Sequence, residues 1–498
     1  MAHPTSSKKG NVARNHRISS RNGAERSAYF ARREAAGVLR RVIQDDAARR
    51  ATASIKSLVY SPSVRNKKAT FALVCQTLKC LPVIKDVLVA TQILNNKWKK
   101  QAELVYVTLY DILFGQEIAM TGAVEKFLTL HKNKLEYALA KICAKRKVKK
   151  IEDLLQNNCV PVACKPRYIR INTLKVDAEV VMQELGKTNI MVSRDDIIPE
   201  VLSLASGIDL HDHPLVCNGS IFLQGKASSM VAVALNPIPG WKVLDACAAP
   251  GNKTAHLAAL MKGQGKIIAC ELNEDRLKTL EETIRRSGAS NVDVMHGDFL
   301  DINTTAPLFK EVHAILLDPS CSGSGISAER LDHLLPSYEK GEDADACKSD
   351  RVKKLAAFQT KALLHALSFP AVERVVYSTC SVYQTENEDV IKSVLPFAKS
   401  LNFELVSPFP QWPHRGLPVF DGAEHLLRTN PKEDTEGFFI ALFVRKSEKI
   451  NRGNRSSSAK KLKRHNRYMP YPFCKLSAFW FHKRLMRQGS KKNEALKW

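Results

Sequence analysis

Over residues 31–150, apolar residues return every three or four positions, in "AAGVLRRVIQ", "TFALVCQTLKCL", "VIKDVLVATQIL" and "ELVYVTLYDILF". That spacing lays an apolar stripe along a helix, and Pro and Gly are too sparse to interrupt it. An all-helical N-terminal domain is expected over 31–150, behind a polar, disordered arm at 1–30. The rhythm changes at 151. "PRYIRINTL" reads as a short strand, "DAEVVMQELGK" as a helix and "GSIFLQGKAS" as strand-like, so 151–240 is expected to be a small α+β segment. From 241 to 445 short β-rich runs alternate with helical stretches. The runs are "WKVLDAC", "KIIACEL", "VDVMHGD", "VHAILLDPS" and "RVVYSTC"; the helices are "KTAHLAALMK", "EDRLKTLEETIRR", "KKLAAFQTKALLHALS" and "ENEDVIKSVLPFAKS". Such alternation builds an α/β domain, a parallel sheet with helices on both faces, and "NFELVSP" and "GFFIALFVR" supply closing strands. Residues 327–350 are polar and irregular. They read as a flap over a site or as a tolerated insertion.

A chain of 498 residues with 44% hydrophobic content is long enough for two or three folded domains. Charge adds a partner. Of the net +26, residues 445–498 hold 17 Lys and Arg against two Glu, and residues 1–50 hold 12 against four acids. The excess therefore sits at the two ends, in an N-terminal arm and a C-terminal arm at 446–498. Arms of this kind fit a polyanion or an import receptor. "NRYMPYPFCKLSAFWFHKR" mixes aromatics with cations, which favours nucleic acid through stacking and phosphate pairing. No apolar run is long enough to span a bilayer, and the N-terminus lacks the apolar stretch of a secretory signal. A soluble, intracellular protein with no membrane partner is expected. The 12 cysteines include no CxxC pair and no zinc-ligand spacing, so reduced thiols and no metal are expected.

Ligands of a doubly wound sheet lie beyond the carboxyl ends of its strands. The turn after "WKVLD" falls there, and Ala246, Ala248, Ala249 and Gly251 are small enough for backbone to approach a ligand. The fingerprint GxGxxG is absent, which argues against a nicotinamide dinucleotide. Glu271 ends the second strand, where an acid can accept from both ribose hydroxyls; Asp298, in "GDFL", ends the third and can accept from an adenine amine. Asp318 closes the fourth strand. Carboxylates without phosphate-binding glycines suit a cationic, phosphate-free nucleoside, S-adenosylmethionine. Two cysteines join this crevice: Cys321 in "LLDPSCSGSG" and Cys380 in "VVYSTCSVYQTENE" each end an apolar run and enter a loop. A thiol beside a sulfonium suits methylation of cytosine C5, a carbon too weakly nucleophilic to attack alone. A thiolate adding to C6 makes C5 enamine-like, and loss of the C5 proton later expels the thiol. That thiolate must form near neutrality, and Cys380, ahead of a helix starting near Glu386, has the placement for a lowered pKa. Asp318 is the candidate for a hydrogen bond to N3 or the exocyclic amine. Chemistry alone does not say which cysteine attacks.

"DACAAPGNKT", "LLDPSCSGSG", "YSTCSVYQTENE", "PRYIRINTL", "FLQGKASS" and "GFFIAL", in that family's motif set, resemble the Nop/Sun (NSUN-type) RNA cytosine-C5 methyltransferases over about residues 160–445. The resemblance implies a Rossmann-like S-adenosylmethionine-dependent methyltransferase domain. It implies Cys380 as nucleophile and Cys321 as the residue that helps resolve the covalent adduct. It also carries cofactor contacts onto Cys247, Ala248, Ala249, Pro250, Gly251, Asn252 and Lys253, then Glu271, Arg276, Asp298 and Asp318. Two positions depart from the pattern: Ser320 stands where most members have proline, and Gly225 replaces an acid after Gln224. Ser320, "SIKSLVYSP", "WPHRGL" and "GAEHLLR" resemble the branch of the fifth paralogue. That branch implies large-subunit ribosomal RNA, free or in a pre-ribosome, and residence in the nucleolus of the nucleus. A monomer that grips RNA with its 151–240 segment is expected, with the target base swung out of its stack. Three other readings stay open. They are a tRNA substrate, an assembly factor that does not need turnover, and a DNA methyltransferase; the last would use a Pro-Cys motif where this chain has Ser-Cys.

Overall fold

The computed structural model describes residues 9–47, 55–94, 96–115, 121–148, 166–326, 331, 334–336, 341–430 and 435–446. The C-terminal arm at 447–498 and the first eight residues lie outside them, as do Cys159, Cys164 and Cys474. Everything described belongs to one compact unit, Met1–Lys446.

The N-terminal region is helical, as its periodicity predicts, with helices Lys67–Thr91, Ala102–Phe114, Ala123–Leu130 and Lys132–Lys145. Within the arm expected to be disordered at 1–30, residues 9–30 are helical instead. A single helix runs Lys9–Ala47, across the boundary drawn at 30. No proline occurs between Pro4 and Pro62 to stop it, and its second half buries Ala31, Ala35, Leu39 and Val42. That buried stripe anchors a polar first half whose composition alone reads as coil. The insertion after Cys321 also departs from expectation. Its last ten residues begin a 27-residue helix, Gly341–Leu367, and Leu331, Leu334 and Leu335 pack against Leu39, Val59 and Leu78 of the helical region.

Four strands, β1 (Arg167–Ile171), β2 (Val192–Arg194), β3 (Val201–Leu204) and β4 (Ile221–Phe222), form an antiparallel sheet in the order β2-β3-β1-β4. The catalytic region adds β5 (Lys242–Asp245), β6 (Lys266–Glu271), β7 (Val292–His296), β8 (Ala314–Leu317), β9 (Arg374–Thr379), β10 (Phe403–Val406), β11 (Leu427–Arg428) and β12 (Phe439–Arg445). Their order is β7-β6-β5-β8-β9-β12-β10, with β11 beside β12. The five strands β5–β9 pair in parallel and β12 returns antiparallel to β9. Alternate residues feed two cores. Val243, Leu316 and Val376 enter one face, while Leu244, Ile315 and Tyr377 enter the other. Burial on both faces is why these strands read as unbroken apolar runs, and each large side chain so buried contributes roughly 1.5–3 kcal/mol. The parallel strands all end at one edge, which places Asp245, Glu271, Asp318 and Cys380 together. Among the described residues no helix is long and apolar enough to cross a membrane, and no cluster of three His, Cys, Asp or Glu could hold a metal ion.

Candidate active site

The turn after β5 is built from short backbone contacts. Ala248 N donates to Cys270 O at 2.9 Å, and Gly251 N donates to Ala248 O at 2.8 Å. The Ala249–Pro250 peptide is cis. Gly251 has φ +100°, and a Cβ there would stand 3.0 Å from Leu280 and Thr283, so glycine is required on both counts. Glu271, nearly fully buried, accepts from Ala249 N at 3.3 Å and Asn273 N at 3.0 Å. Arg276 donates to Ala249 O at 2.5 Å and pairs with Glu271 at 3.4 Å, clipping the turn to the end of β6. Asp298 accepts from Leu300 N at 2.9 Å. Asp245 lies beneath the turn, accepts from Thr254 Oγ1 at 2.7 Å, and is pushed up to about 7 by burial. Burial likewise raises the Cys247 thiol, which makes it a poor nucleophile. The stretch 247–253 therefore divides. Its first part is a cradle. Asn252 instead offers its carbonyl to Arg170 of β1 at 3.2 Å, and Lys253 turns to Asp318.

At the ends of the adjacent strands β8 and β9, Cys321 Sγ and Cys380 Sγ stand 3.2 Å apart. Beside them Asp318 accepts from Lys253 Nζ at 2.8 Å and from Ser378 Oγ at 2.6 Å. Burial alone would lower Lys253, yet the charge and hydrogen bond of Asp318 outweigh it and hold the ammonium above its ordinary value. The thiols behave as one unit. The hydrogen bond from Cys380 holds Cys321 below the ordinary thiol value, and the same bond, with burial, pushes Cys380 far above it. The expectation of a lowered Cys380 is thus overturned for this resting arrangement. The helix after it begins at Glu388, with Glu388 and Asp389 in its first turn to offset its dipole, and the Cys380 sulfur is tied up in the hydrogen bond with Cys321.

Sequence reading missed the braces behind the pair. Buried Glu386 accepts from Ser322 N at 2.9 Å and from Gln359 Nε2 at 3.0 Å, and Gln359 Nε2 also donates to Ser320 O at 3.0 Å. A residue on the Cys380 side thereby fixes the Cys321 loop. Asn387 completes the brace: it accepts from Thr379 Oγ1 at 2.6 Å and donates to Ser381 O at 2.9 Å. The "QTENE" stretch after Cys380 was the available signal; Gln359, inside a helix, gave none. Both departures now have a physical account. Ser320 acts through its carbonyl, which a proline also has. At Gly225 a Cβ would meet Glu436 Oε1 at 1.7 Å, so the Glu436 carboxylate already fills the space at the start of helix Lys226–Leu235. The same segment lines the site. Gly437 N donates to Gly325 O at 3.0 Å, Gly325 N donates to Cys380 O at 2.9 Å, and Lys253 Nζ lies 5.5 Å from the Phe438 ring. Cys270 is a core residue and Cys217 is exposed.

A doubly wound sheet with a small-residue turn, carboxylates at its strand ends and a pair of adjacent thiols defines a fold of the α/β methyltransferase class. Comparison with known proteins agrees. The family "16S rRNA methyltransferase RsmB/F" matches residues 232–444, and "NOL1/NOP2/Sun domain family member 5, N-terminal domain" matches 68–155. The chain is 62% identical over 427 residues to the 25S rRNA (cytosine-C(5))-methyltransferase NSUN5 of Arabidopsis thaliana, covering 86% of this chain and 75% of that protein. It is 39% identical over 414 residues to a 28S rRNA (cytosine-C(5))-methyltransferase of Mus musculus, covering 79% and 87%. The crystal structure of PH0851 shares the fold at TM-score 0.58 and 22% identity, covering 82% of this chain and 99% of that one. The chain belongs to the NSUN5 family of rRNA (cytosine-C5)-methyltransferases.

Proposed function

We propose that the chain methylates C5 of a cytosine in large-subunit ribosomal RNA through a covalent bond between Cys380 and C6. The observation that carries the reading is the thiol pair, 3.2 Å apart, beside the Lys253–Asp318 pair at the rim of the crevice. The crevice fits S-adenosylmethionine by its donor set. Glu271 and Asp298 present carboxylates to hydroxyl and amine donors, the small turn 248–251 admits close backbone approach, and Arg276 is engaged with Glu271 and Ala249 rather than set for a phosphate. When bound, that group supplies an electrophilic methyl.

The residues then act in order. The two sulfurs share one proton: Cys321, the one that ionises first, is the thiolate that receives the proton of Cys380 as the base arrives, so the negative charge passes to Cys380. The Cys380 sulfur bonds to C6 and the C5–C6 electron pair moves onto C5, with Asp318 holding the exocyclic amine or N3 and Lys253 holding Asp318. After C5 gains the methyl, its proton passes to water, the C5–H electron pair restores the C5–C6 double bond, and the C6–S bond breaks with its electron pair returning to Cys380. Cys321 stands where that step must be assisted. The 151–240 segment bears on RNA by shape and phosphate contact, and the basic ends add salt-dependent affinity and nucleolar residence. A monomer suffices, since all named groups come from one chain.

Purified protein with methyl-labelled donor tests this. Label is expected in large-subunit transcripts or pre-ribosomes, at a position that bisulfite sequencing reads as protected cytosine. Label confined to tRNA, or absent from all RNA, overturns the reading.

A further inference from the structure

The segments "WPHRGL" (412–417) and "GAEHLLR" (422–428) take no part in the chemistry described above, yet they fold against each other next to it. Arg428 N donates to His414 O at 3.3 Å, Gly416 N donates to Leu426 O at 3.0 Å, and Arg415 bridges to Leu427. Beside them opens a cleft of about 450 Å³ whose lining includes Val382, His414, Arg415, Arg428, Thr429 and Asn430. That volume suits a small organic ligand of nucleotide size.

Its position is informative. Val382 is two residues beyond Cys380, at most about 7 Å along the chain. In the sheet order β7-β6-β5-β8-β9-β12 the cofactor crevice lies over β5, β6 and β7, and the thiols cap β8 and β9. The cleft follows on the β9–β12 side, so a base reaching Cys380 has the methyl donor on one flank and this cleft on the other.

Its chemistry also fits. Among the described residues no carboxylate lines it. Arg428 turns its charge inward, in a two-pronged pair with Glu388 at 2.6 Å each, and donates to Val382 O at 3.0 Å. Arg415 donates to the carbonyls of Pro408, Phe409 and Pro410, and among the described residues no carboxylate pairs with it, so its positive charge stands at the cleft. His414 and Asn430 bring ring and amide groups of the kind that read base edges, and Val382, 37% exposed, and Pro413 give an apolar part of the lining.

We propose that this cleft seats the nucleotide adjoining the target cytosine, with His414 and Asn430 contacting its base and Arg415 favouring its phosphate. The proposal rests on the reading of the chain as an RNA methyltransferase, so its test uses binding rather than turnover. Fluorescence anisotropy with the full chain compares a labelled large-subunit rRNA stem-loop with versions abasic at each neighbour of the target cytosine. One abasic RNA is expected to bind wild type about tenfold more weakly, the size of one lost base contact. H414A and N430A, checked by thermal unfolding and accompanied by H414Q, are expected to lose about the same on intact RNA. They should lose nothing further on the abasic RNA. If the losses multiply to about a hundredfold, or the variants bind intact RNA like wild type, the cleft is not that seat. If wild type binds this RNA yet never methylates it, the proposed function fails while the cleft result stands.

Discussion

Asp318→Asn removes one charge at the centre of the site and keeps the side chain's shape. In the native protein Lys253 Nζ lies 2.8 Å from Asp318, with side chains 15% and 26% exposed. Breaking a fully buried pair costs about 3–5 kcal/mol; partial exposure at both ends and the surviving amide oxygen bring this nearer 1–3 kcal/mol. The same oxygen atoms are assigned to the base, so kcat/KM should fall by about 10- to 100-fold. A pH signature separates this from general damage. Wild-type Lys253 is raised above its ordinary 10.5, so its stabilisation is fully present below that value and is lost only as pH rises through the raised one. Between pH 7 and 9 it contributes no slope. In the variant, burial is left as the largest influence and drops Lys253 below 10.5, so the folded state binds fewer protons than the unfolded one in that interval and stability climbs with pH. Calorimetric unfolding at several pH values, alongside single-turnover methyl transfer, reads both effects. Unchanged kcat/KM, or a stability gap between variant and wild type that does not narrow toward pH 10, would refute the pairing.

Asp245 is raised from 3.8 to about 7 by burial, so it costs the fold increasing stability as pH rises through that window; Asp245→Asn should unfold at a higher Tm than wild type at pH 8 and not at pH 4. Gly225→Ala should displace the Glu436 carboxylate from the start of its helix and cost about 1 kcal/mol by urea unfolding, but cost nothing in a Glu436→Ala background; equal costs in both backgrounds would dismiss the overlap. Arg428→Ala leaves the fully buried Glu388 without its partner and should cost roughly 3–5 kcal/mol, with Lys at 428 recovering only part of it.

Much of the fold was legible because buried parallel strands advertise themselves as unbroken apolar runs: all five of β5–β9 fall inside the predicted stretches. β2 and β3 did not stand out, being three and four residues long and partly polar in a small exposed-edged sheet. The polar half of helix Lys9–Ala47 and the insertion after Cys321 were misread for one reason. A few apolar contacts, Ala35 and Leu39 in the first and Leu331, Leu334 and Leu335 in the second, outweigh composition once a partner surface exists. In the site, strand ends told which residues would gather, since Glu271 ends a strand and Asp298, Asp318, Cys321 and Cys380 follow strands. They could not tell which atoms meet. The Lys253–Asp318 pair, the Glu386–Gln359 brace and the proton shared between the sulfurs depend on tertiary placement, and Cys380's local sequence pointed the wrong way about its acidity.

The account turns on Cys380 bonding to the pyrimidine while Cys321 serves its release. Incubating Cys321→Ala protein with methyl donor and large-subunit rRNA, then digesting under denaturing conditions, should yield a peptide carrying a methylated cytidine on Cys380 by mass spectrometry. Cys380→Ala should yield none. A nucleotide found on Cys321 in the Cys380→Ala protein, or no linked nucleotide in either variant, would contradict it.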